Sequence, residues 1–197
     1  MLGISSGLMY SDYVEGCSEE LVAMYTSDFS GGVDGWVPYS VEGTLTLDGN
    51  IDGFNGEDNT LRGTYDTTQT NVSGIKKVDA FSDVRVGDRF EVVQVKMYFD
   101  SAYDSYTNLW DGEDIVSGHI YIQGVGVVSY LVYTWGATQD EWDTPSFHTY
   151  APGPDYAVNT NGDLYILFPK DDPPSDLPQE NARFYIKDII IKQYRCG

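Results

Sequence analysis

Residues 182–194 read Ala-Arg-Phe-Tyr-Ile-Lys-Asp-Ile-Ile-Ile-Lys-Gln-Tyr, a run rich in the β-branched and aromatic residues that favour extended strands. Side chains at alternate positions of a strand point to opposite faces of a sheet. Apolar residues fall on both sets of positions here: Phe184, Ile186 and Ile190 on one, and Tyr185, Ile189 and Ile191 on the other. The pattern predicts a strand that is covered on both faces and is not an exposed edge.

Shorter β-rich runs precede this segment, and glycine-containing turns such as Gly31-Gly32 and Asn161-Gly162 separate them. Because no window shows a 3.6-residue apolar period with a cap at its start, we expect no helices. Strands at this spacing predict an all-β fold, an antiparallel β-sandwich of the jelly-roll type, as one domain over residues 21–197. The other predicted strands cover residues 21–29, 44–47, 60–66, 75–81, 90–99, 115–135, 146–150 and 163–168.

The longest of these runs, residues 115–135, contains Gly124 and Gly126 near its middle. Glycine inside a strand pattern marks a bulge or an interruption. We therefore expect this run to form two strands or one bulged strand.

The charge balance is strongly acidic. Lys and Arg number 11 against 31 Asp and Glu, which gives a formal net charge of −20, and no Lys or Arg precedes Arg62. This distribution predicts no nucleic-acid binding and no attraction to anionic lipid. With no apolar run of spanning length and no positively charged signal segment, we expect neither membrane insertion nor export through a secretory signal.

Residues 1–20 form a predicted arm before the domain. Glycines interrupt any regular period in the arm, yet it carries apolar residues that are numerous for a free tail: Leu2, Ile4, Leu8, Met9 and Tyr10. Such a composition indicates docking on a partner or on its own domain, and we expect an oligomer. A terminus without a docking partner is the alternative interpretation of the same residues.

The order of several motifs resembles the jelly-roll carbohydrate-binding modules of the xylan- and glucan-binding type. The matching segments are Asp-Phe-Ser-Gly-Gly-Val-Asp-Gly-Trp at 28–36, Asn-Thr-Leu-Arg-Gly-Thr-Tyr at 59–65, Val-Gly-Asp-Arg-Phe at 86–90 and Phe-Tyr-Ile-Lys-Asp-Ile-Ile-Ile at 184–191. The resemblance covers residues 21–194. It implies a β-sandwich that binds glycan without catalysis.

The same resemblance implies a structural calcium site, with Asp188 and Asp28 as the donors carried over to this chain. Two departures weaken that site, because Ser30 and Lys187 stand where the family usually has acidic residues. We therefore expect that no cofactor is required, with a structural calcium ion allowed. The family arrangement also places the first and last strands side by side, which implies a disulfide between Cys17 and Cys196, with two unpaired thiols as the alternative.

A glycan platform needs flat aromatic rings that stack on sugar faces. Trp110 lies in a turn-like acidic segment, and Tyr133 and Trp135 share a strand face through their spacing, which Tyr98 joins from a neighbouring strand. These four residues are the predicted carbohydrate-binding site, and a packing role is the alternative. We assign Trp36 and Trp142 to packing.

A second calcium candidate is the loop that begins Asp48-Gly49-Asn50-Ile51-Asp52-Gly53. Oxygens of Asp48, Asn50 and Asp52 stand at the first, third and fifth positions of a calcium loop, and a glycine stands at the sixth. The twelfth position is Asn59 instead of Glu, and no helices flank the loop. A hairpin turn is the simpler explanation of the same residues.

Catalysis has little support in the sequence. His119 and His148 both fall in predicted strands, and no nucleophile elbow is present, so we predict a protein that is not an enzyme. A glycosidase needs only two carboxylates, and the chain has 31 acidic residues. A small glycan hydrolase or lyase therefore stays an open alternative.

The opening Met-Leu-Gly-Ile-Ser-Ser-Gly-Leu is similar to the leaders of tailed-phage virion proteins. This similarity implies a virion-surface protein, either a capsid decoration or a tail adhesin, whose arm docks on other virion proteins and which becomes extracellular after lysis. A secreted, free-standing carbohydrate-binding module is the first alternative, and the hydrolase or lyase is the second. A purely structural shell protein without a ligand fits the same residues.

Overall fold

The computed structural model describes residues 18–85, 88–102, 106–107, 114–124, 129–144, 160–168 and 178–196. All regular elements in these ranges are β-strands, as the sequence predicts. They are β1 (Glu19–Ser27), β2 (Trp36–Tyr39), β3 (Leu45–Ile51), β4 (Thr60–Tyr65), β5 (Ser73–Val84), β6 (Arg89–Phe99), β7 (Tyr106–Thr107), β8 (Asp114–Gly124), β9 (Ser129–Thr138), β10 (Thr160–Phe168) and β11 (Arg183–Cys196).

The strands form two antiparallel sheets. In the first sheet, β11 pairs with β6 along one edge. Along its other edge, the first residues of β11 pair with β4 and its later residues pair with β1. The strand β3 pairs with the far edge of β4. The second sheet has the order β2-β5-β10-β8-β9, and the short β7 also pairs with β8. The predicted long run therefore forms two strands, β8 and β9.

The core lies between the sheets and is built mainly from aromatic and β-branched side chains. Phe168 of the second sheet packs against Phe99 and Phe184 of the first, with ring centroids 5.5 and 4.6 Å apart. Trp36 is almost fully buried, which confirms its packing role. The two sheets thus share one hydrophobic interior, as the predicted β-sandwich requires.

A bulge in β11 corrects the alternation predicted for that strand. Its pairing with β6 shifts register between Lys187 and Ile190, and Asp188 adopts a φ of 54°. The extra residue changes which positions face the core: Phe184 and Ile186 before the bulge, Ile189 and Ile191 after it. The prediction that Ile190 shares a face with Phe184 is wrong for this reason, while the prediction of a non-edge strand is confirmed.

The end of β11 is tied to the turn between β5 and β6 by a buried ionic contact. Asp88 is fully buried, and its carboxylate accepts hydrogen bonds from Arg195 Nε at 2.7 Å, Arg195 Nη2 at 2.8 Å and Gln193 Nε2 at 2.6 Å. The Arg85 backbone amide donates to the same carboxylate. Arg195 and Gln193 also donate hydrogen bonds to the Asp83 carbonyl oxygen of β5, so this cluster joins the two layers of the sandwich.

Candidate functional site

A row of tyrosines crosses the outer face of the second sheet. Tyr165 on β10 lies between Leu164 and Ile166, which are both fully buried in the core, so strand alternation places Tyr165 on the opposite, outer face. In the register of the sheet, Tyr165 stands opposite Tyr121 of β8 on one side and Lys76 of β5 on the other. Directly opposite residues share a face, so these three side chains form one line across the sheet.

Tyr39 of β2 completes the row. Its ring meets the ring of Tyr165 edge to face, with centroids 4.9 Å apart. The strand partner of Tyr39 is Gly74 of β5, which has no side chain to separate the two rings. A Cβ at Gly74 would overlap the carbonyl oxygen of Ile166, so glycine is also required for the close approach of β5 and β10.

Polar groups lie beside the rings. The Tyr165 hydroxyl is 3.4 Å from a carboxylate oxygen of Asp163, and Asp163 also accepts a hydrogen bond from the Asp79 backbone amide at 2.9 Å. Burial first, and then the charge of Asp163, raise the pKa of Tyr165 to about 12. The hydroxyl therefore stays protonated at neutral pH and serves as a donor.

Exposed apolar side chains border the row. Val37 of β2 and Val78 of β5 are 40% and 47% exposed, and Val37 pairs with Lys76. The half-buried rings of Tyr39 and Tyr121, with an amine and a carboxylate at their margin, combine apolar stacking surface with hydrogen-bonding groups. Such a combination suits a ligand that has both apolar faces and hydroxyl groups, as sugars do.

The buried tyrosines give the protein a defined response to alkaline pH. Burial raises the pKa of both Tyr25 and Tyr165 from 10.0 to about 12, so the folded chain holds these protons more tightly than the unfolded chain. Their contribution to stability is complete below pH 10 and is lost as the pH rises through about 12. We expect the free energy of unfolding, measured with urea, to fall over this interval. Tyr25→Phe should flatten the fall, and an unchanged slope in that variant would contradict the assignment.

A second aromatic cluster lies on the outer face of the first sheet, and Tyr98 belongs to it. The Phe54 ring is stacked on Tyr185 with centroids 3.5 Å apart, and Tyr98 and Trp142 meet Phe54 edge to face at 4.9 and 6.1 Å. Tyr98 and Tyr185 are 8% and 4% exposed. Glu57 forms ion pairs with both Lys96 and Lys187 at this face. Trp142 packs against Phe54 and Tyr98, which confirms the packing role assigned to it.

The predicted carbohydrate platform is distributed over two sheets. Tyr133 and Trp135 lie on β9, where they pair with Ile120 and Gly118, whereas Tyr98 lies on β6 of the first sheet. Trp110 lies outside the described residues. Tyr133 and Trp135 thus lie on one strand, Tyr98 belongs to the cluster around Phe54, and the joint platform stays a prediction.

The sequence reasoning missed Tyr39, Tyr121 and Tyr165. Tyr165 carried a usable signal, because it stands between the apolar Leu164 and Ile166 in a short strand. No local signal marked Tyr39 or Tyr121, since their meeting depends on which strands pair.

The predicted calcium donors of the family site are engaged in other contacts. Asp28 accepts hydrogen bonds from the Ser30 backbone amide at 3.0 Å and the Ser30 hydroxyl at 2.8 Å. Asp188 lies in the β11 bulge, 3.4 Å from the Gln94 side-chain amide. Among the residues that the structure describes, no three His, Cys, Asp or Glu side chains are grouped to hold a metal ion. Calcium here stays a prediction.

The alternative calcium loop has a different local structure from the predicted hairpin turn. Asp48 and Asn50 lie within β3, at a register shift between Asp48 and Ile51, and Asn50 has a φ of 56°. Asp48 forms an ion pair with Arg62 at 2.7 Å. Asp52 accepts a hydrogen bond from the Asn59 backbone amide at 3.1 Å. The hairpin-turn interpretation of residues 48–50 is wrong because these residues form a bulged strand.

The first and last strands pair side by side, as the family resemblance implies. Glu19 pairs with Cys196, and the pairing continues to Ser27 and Ile189. Cys17 lies outside the described residues. The disulfide between Cys17 and Cys196 stays a prediction.

Solved structures share this arrangement of strands. The C-terminal family 22 carbohydrate-binding module of Clostridium thermocellum Xyn10B matches with a TM-score of 0.52 and 16% identity, over 85% of this chain and 92% of that one. The family 22 xylan-binding domain from Paenibacillus barcinonensis Xyn10C matches with a TM-score of 0.53 and 11% identity, over 85% and 98%. The chain has the β-sandwich fold of these carbohydrate-binding modules.

This likeness confirms the fold that the motif resemblance predicts. At identities of 16% and 11%, it shows a shared fold alone. No family model matches the sequence, and no curated protein matches it. Nothing among these comparisons supports the similarity of the opening residues to phage virion leaders. The described part of the chain contains no helix that is long and apolar enough to span a membrane.

Proposed function

We propose that this protein is a non-catalytic carbohydrate-binding protein that holds a glycan chain across the outer face of its second sheet. The observation that carries the proposal is the tyrosine row. The ring centroids of Tyr165 and Tyr39 are 4.9 Å apart, and Tyr165 stands opposite Tyr121 in the sheet. The half-buried rings of Tyr39 and Tyr121 offer surfaces for stacking on a sugar, and the buried ring of Tyr165 supports Tyr39 between them. Lys76 and Asp163 supply polar partners for hydroxyl groups. A row across several strands suits an extended chain better than a single sugar.

The proposed ligand is a neutral polysaccharide of the xylan or glucan class. A formal net charge of −20 disfavours association with polyanionic glycans, because like charges repel at long range. The family 22 domain from Paenibacillus barcinonensis Xyn10C is a xylan-binding domain, and its fold is the fold of this chain. The fold likeness and the charge together favour an uncharged backbone of β-linked sugars.

Replacing the rings of the row should weaken binding without unfolding the protein. We expect Tyr39→Ala and Tyr121→Ala each to lower the affinity for soluble xylan or mixed-linkage glucan about tenfold, equivalent to about 1.4 kcal/mol, because a stacking surface is lost. Isothermal titration calorimetry against both polysaccharides measures the change.

The matched control is Tyr194→Ala on the first sheet, a half-buried tyrosine whose hydroxyl bonds Glu91 at 2.7 Å. It should bind as the unmodified protein does. An equal loss of affinity in the control, or no binding of either polysaccharide by the unmodified chain, would contradict the proposed function.

The virion-surface setting rests on the arm sequence, which precedes the described residues. It stays a prediction beside the secreted alternative, and mass spectrometry of purified particles tests it. Stoichiometric recovery of the chain with the particles would support it. Its absence from them would leave the secreted module as the better setting for the same binding face.

A further inference from the structure

Asn55 and Gly56 form the exposed tip of the connection between β3 and β4. The Glu57 backbone amide donates a hydrogen bond to the Phe54 carbonyl oxygen at 3.0 Å, which closes a four-residue turn. The two central residues have positive φ angles, 47° at Asn55 and 83° at Gly56. Positive φ at both central positions, with this hydrogen bond, is the pattern of a type I′ turn.

The turn is held at both ends and has open space at its tip. The Phe54 ring stacks on Tyr185 with centroids 3.5 Å apart, and the Glu57 carboxylate is paired with Lys187 at 2.9 Å. A Cβ at Gly56 would meet nothing within 4 Å. The closing hydrogen bond does not involve the peptide group between the two central residues. Rotation of that peptide group converts a type I′ turn into a type II′ turn, which keeps the same closing bond.

The chemistry of an asparagine that precedes a glycine depends on this rotation. The Gly56 backbone nitrogen adds to Cγ of the Asn55 side chain, and the side-chain amide leaves as ammonia together with the proton of the backbone nitrogen. A five-membered succinimide ring remains, and water opens it at either carbonyl to give aspartate or isoaspartate. Ring closure needs the Gly56 nitrogen to eclipse Cβ of Asn55, at a ψ of about −120°, which is the ψ of the first central residue in a type II′ turn.

We propose that Asn55 is a site of spontaneous deamidation in the folded protein, with water as the co-reactant. Asn55 already has the positive φ of a type II′ turn, so only the peptide group between Asn55 and Gly56 has to rotate. Gly56 accepts the rotation, because glycine adopts negative φ as readily as positive φ. The product carries a carboxylate or a lengthened backbone at the turn that packs Phe54 on the first sheet.

The chain has a second Asn-Gly pair, Asn161-Gly162, with the same chemistry in a different structure. Asn161 is also exposed, but both residues lie within β10. Gly162 pairs with Phe81 of β5 on one side and with Gly124 of β8 on the other. Rotation of the peptide group between Asn161 and Gly162 therefore requires a local opening of the sheet, which costs free energy.

Incubation of the purified full chain at mildly alkaline pH, followed by pepsin digestion in acid and mass spectrometry, measures deamidation at both pairs. In the folded chain we expect Asn55 to convert about tenfold faster than Asn161 or more, because only the second site needs opening of the sheet. In urea the two sites should convert at similar rates. Asn55→Gln is the matched variant, since its longer side chain closes a six-membered ring slowly. It should abolish conversion at position 55 and leave Asn161 unchanged.

The products and the relative rates decide the proposal. Opening of a succinimide gives isoaspartate together with aspartate at position 55, which electron-transfer fragmentation distinguishes. Aspartate alone would overturn the proposal, because it indicates direct hydrolysis of the amide. Conversion of Asn55 in the folded chain that is no faster than that of Asn161 would also overturn it. A rate difference of the same size in urea would assign the selectivity to neighbouring sequence and remove the role of the turn.

Discussion

Replacing Asp88 with alanine is expected to lower the free energy of unfolding by about 2–3 kcal/mol, because it removes a buried carboxylate that accepts several hydrogen bonds, two of them from a guanidinium. Asp88 is fully buried, and Arg195 approaches it with two nitrogens at 2.7 and 2.8 Å. In the variant, Arg195 and Gln193 lose this buried acceptor but keep their hydrogen bonds to the Asp83 carbonyl oxygen, and the Arg85 backbone amide loses its acceptor. Urea unfolding followed by tryptophan fluorescence measures the loss.

The control for this prediction is a neighbouring ion pair in solvent. Arg85 contacts Asp83 at 2.6 Å, but both side chains are more than 40% exposed, and exposed pairs add little to stability. Arg85→Ala should leave the free energy of unfolding nearly unchanged, since the Arg85 backbone amide still reaches Asp88. Equal losses in the two variants would show that burial of Asp88 is not what makes its contact matter.

Gly63→Ala is expected to destabilise the fold by about 2–3 kcal/mol through overpacking of the core. Gly63 of β4 pairs with Phe184 of β11, and a Cβ at this position would overlap Cε1 and Cζ of that ring. The Phe184 ring packs against Phe168 and Tyr65 with centroids 4.6 and 6.2 Å apart, so a shift away from the new methyl group would disturb these contacts. Thermal and urea unfolding measure the effect.

A double-mutant cycle identifies the cause of that loss. Phe184→Leu removes the atoms that the new methyl group would strike, so Gly63→Ala should cost clearly less in the Phe184→Leu background than in the unmodified chain. Gly53→Ala measures backbone strain without overlap, because Gly53 has a φ of 69° and a Cβ added there would meet nothing within 4 Å. If Gly63→Ala costs the same in both backgrounds, overlap with Phe184 is not the cause.

The fold class and the place of the last strand could be predicted from local sequence. Alternating apolar positions and glycine turns identify strands because both act over a few residues. The bulge at Asp188 could not be predicted, since any residue of the run Lys-Asp-Ile-Ile-Ile could take the extra position. Its location depends on how β11 meets β6 on one side and β4 and β1 on the other.

The candidate site shows the same division. The outward position of Tyr165 follows from its buried neighbours Leu164 and Ile166. Its contact with Tyr39 does not, because β5 lies between their strands and the two residues are far apart in the chain. The predicted platform places Tyr98 on a strand next to that of Tyr133. The strands β6 and β9 belong to different sheets, yet Phe99 of β6 forms a bridge with Gln139, directly after β9, and the shared platform stays a prediction.

By itself, the sequence determined the all-β class, a formal net charge of −20 and a final strand that is not an edge. These properties follow from composition and from patterns within one strand. Only the tertiary structure decided that Tyr39, Tyr121 and Tyr165 form one row and that Asp88 meets Arg195. The physical reason is that strand pairing joins segments distant in the chain, and the register of that pairing is set by the packing of both sheets together.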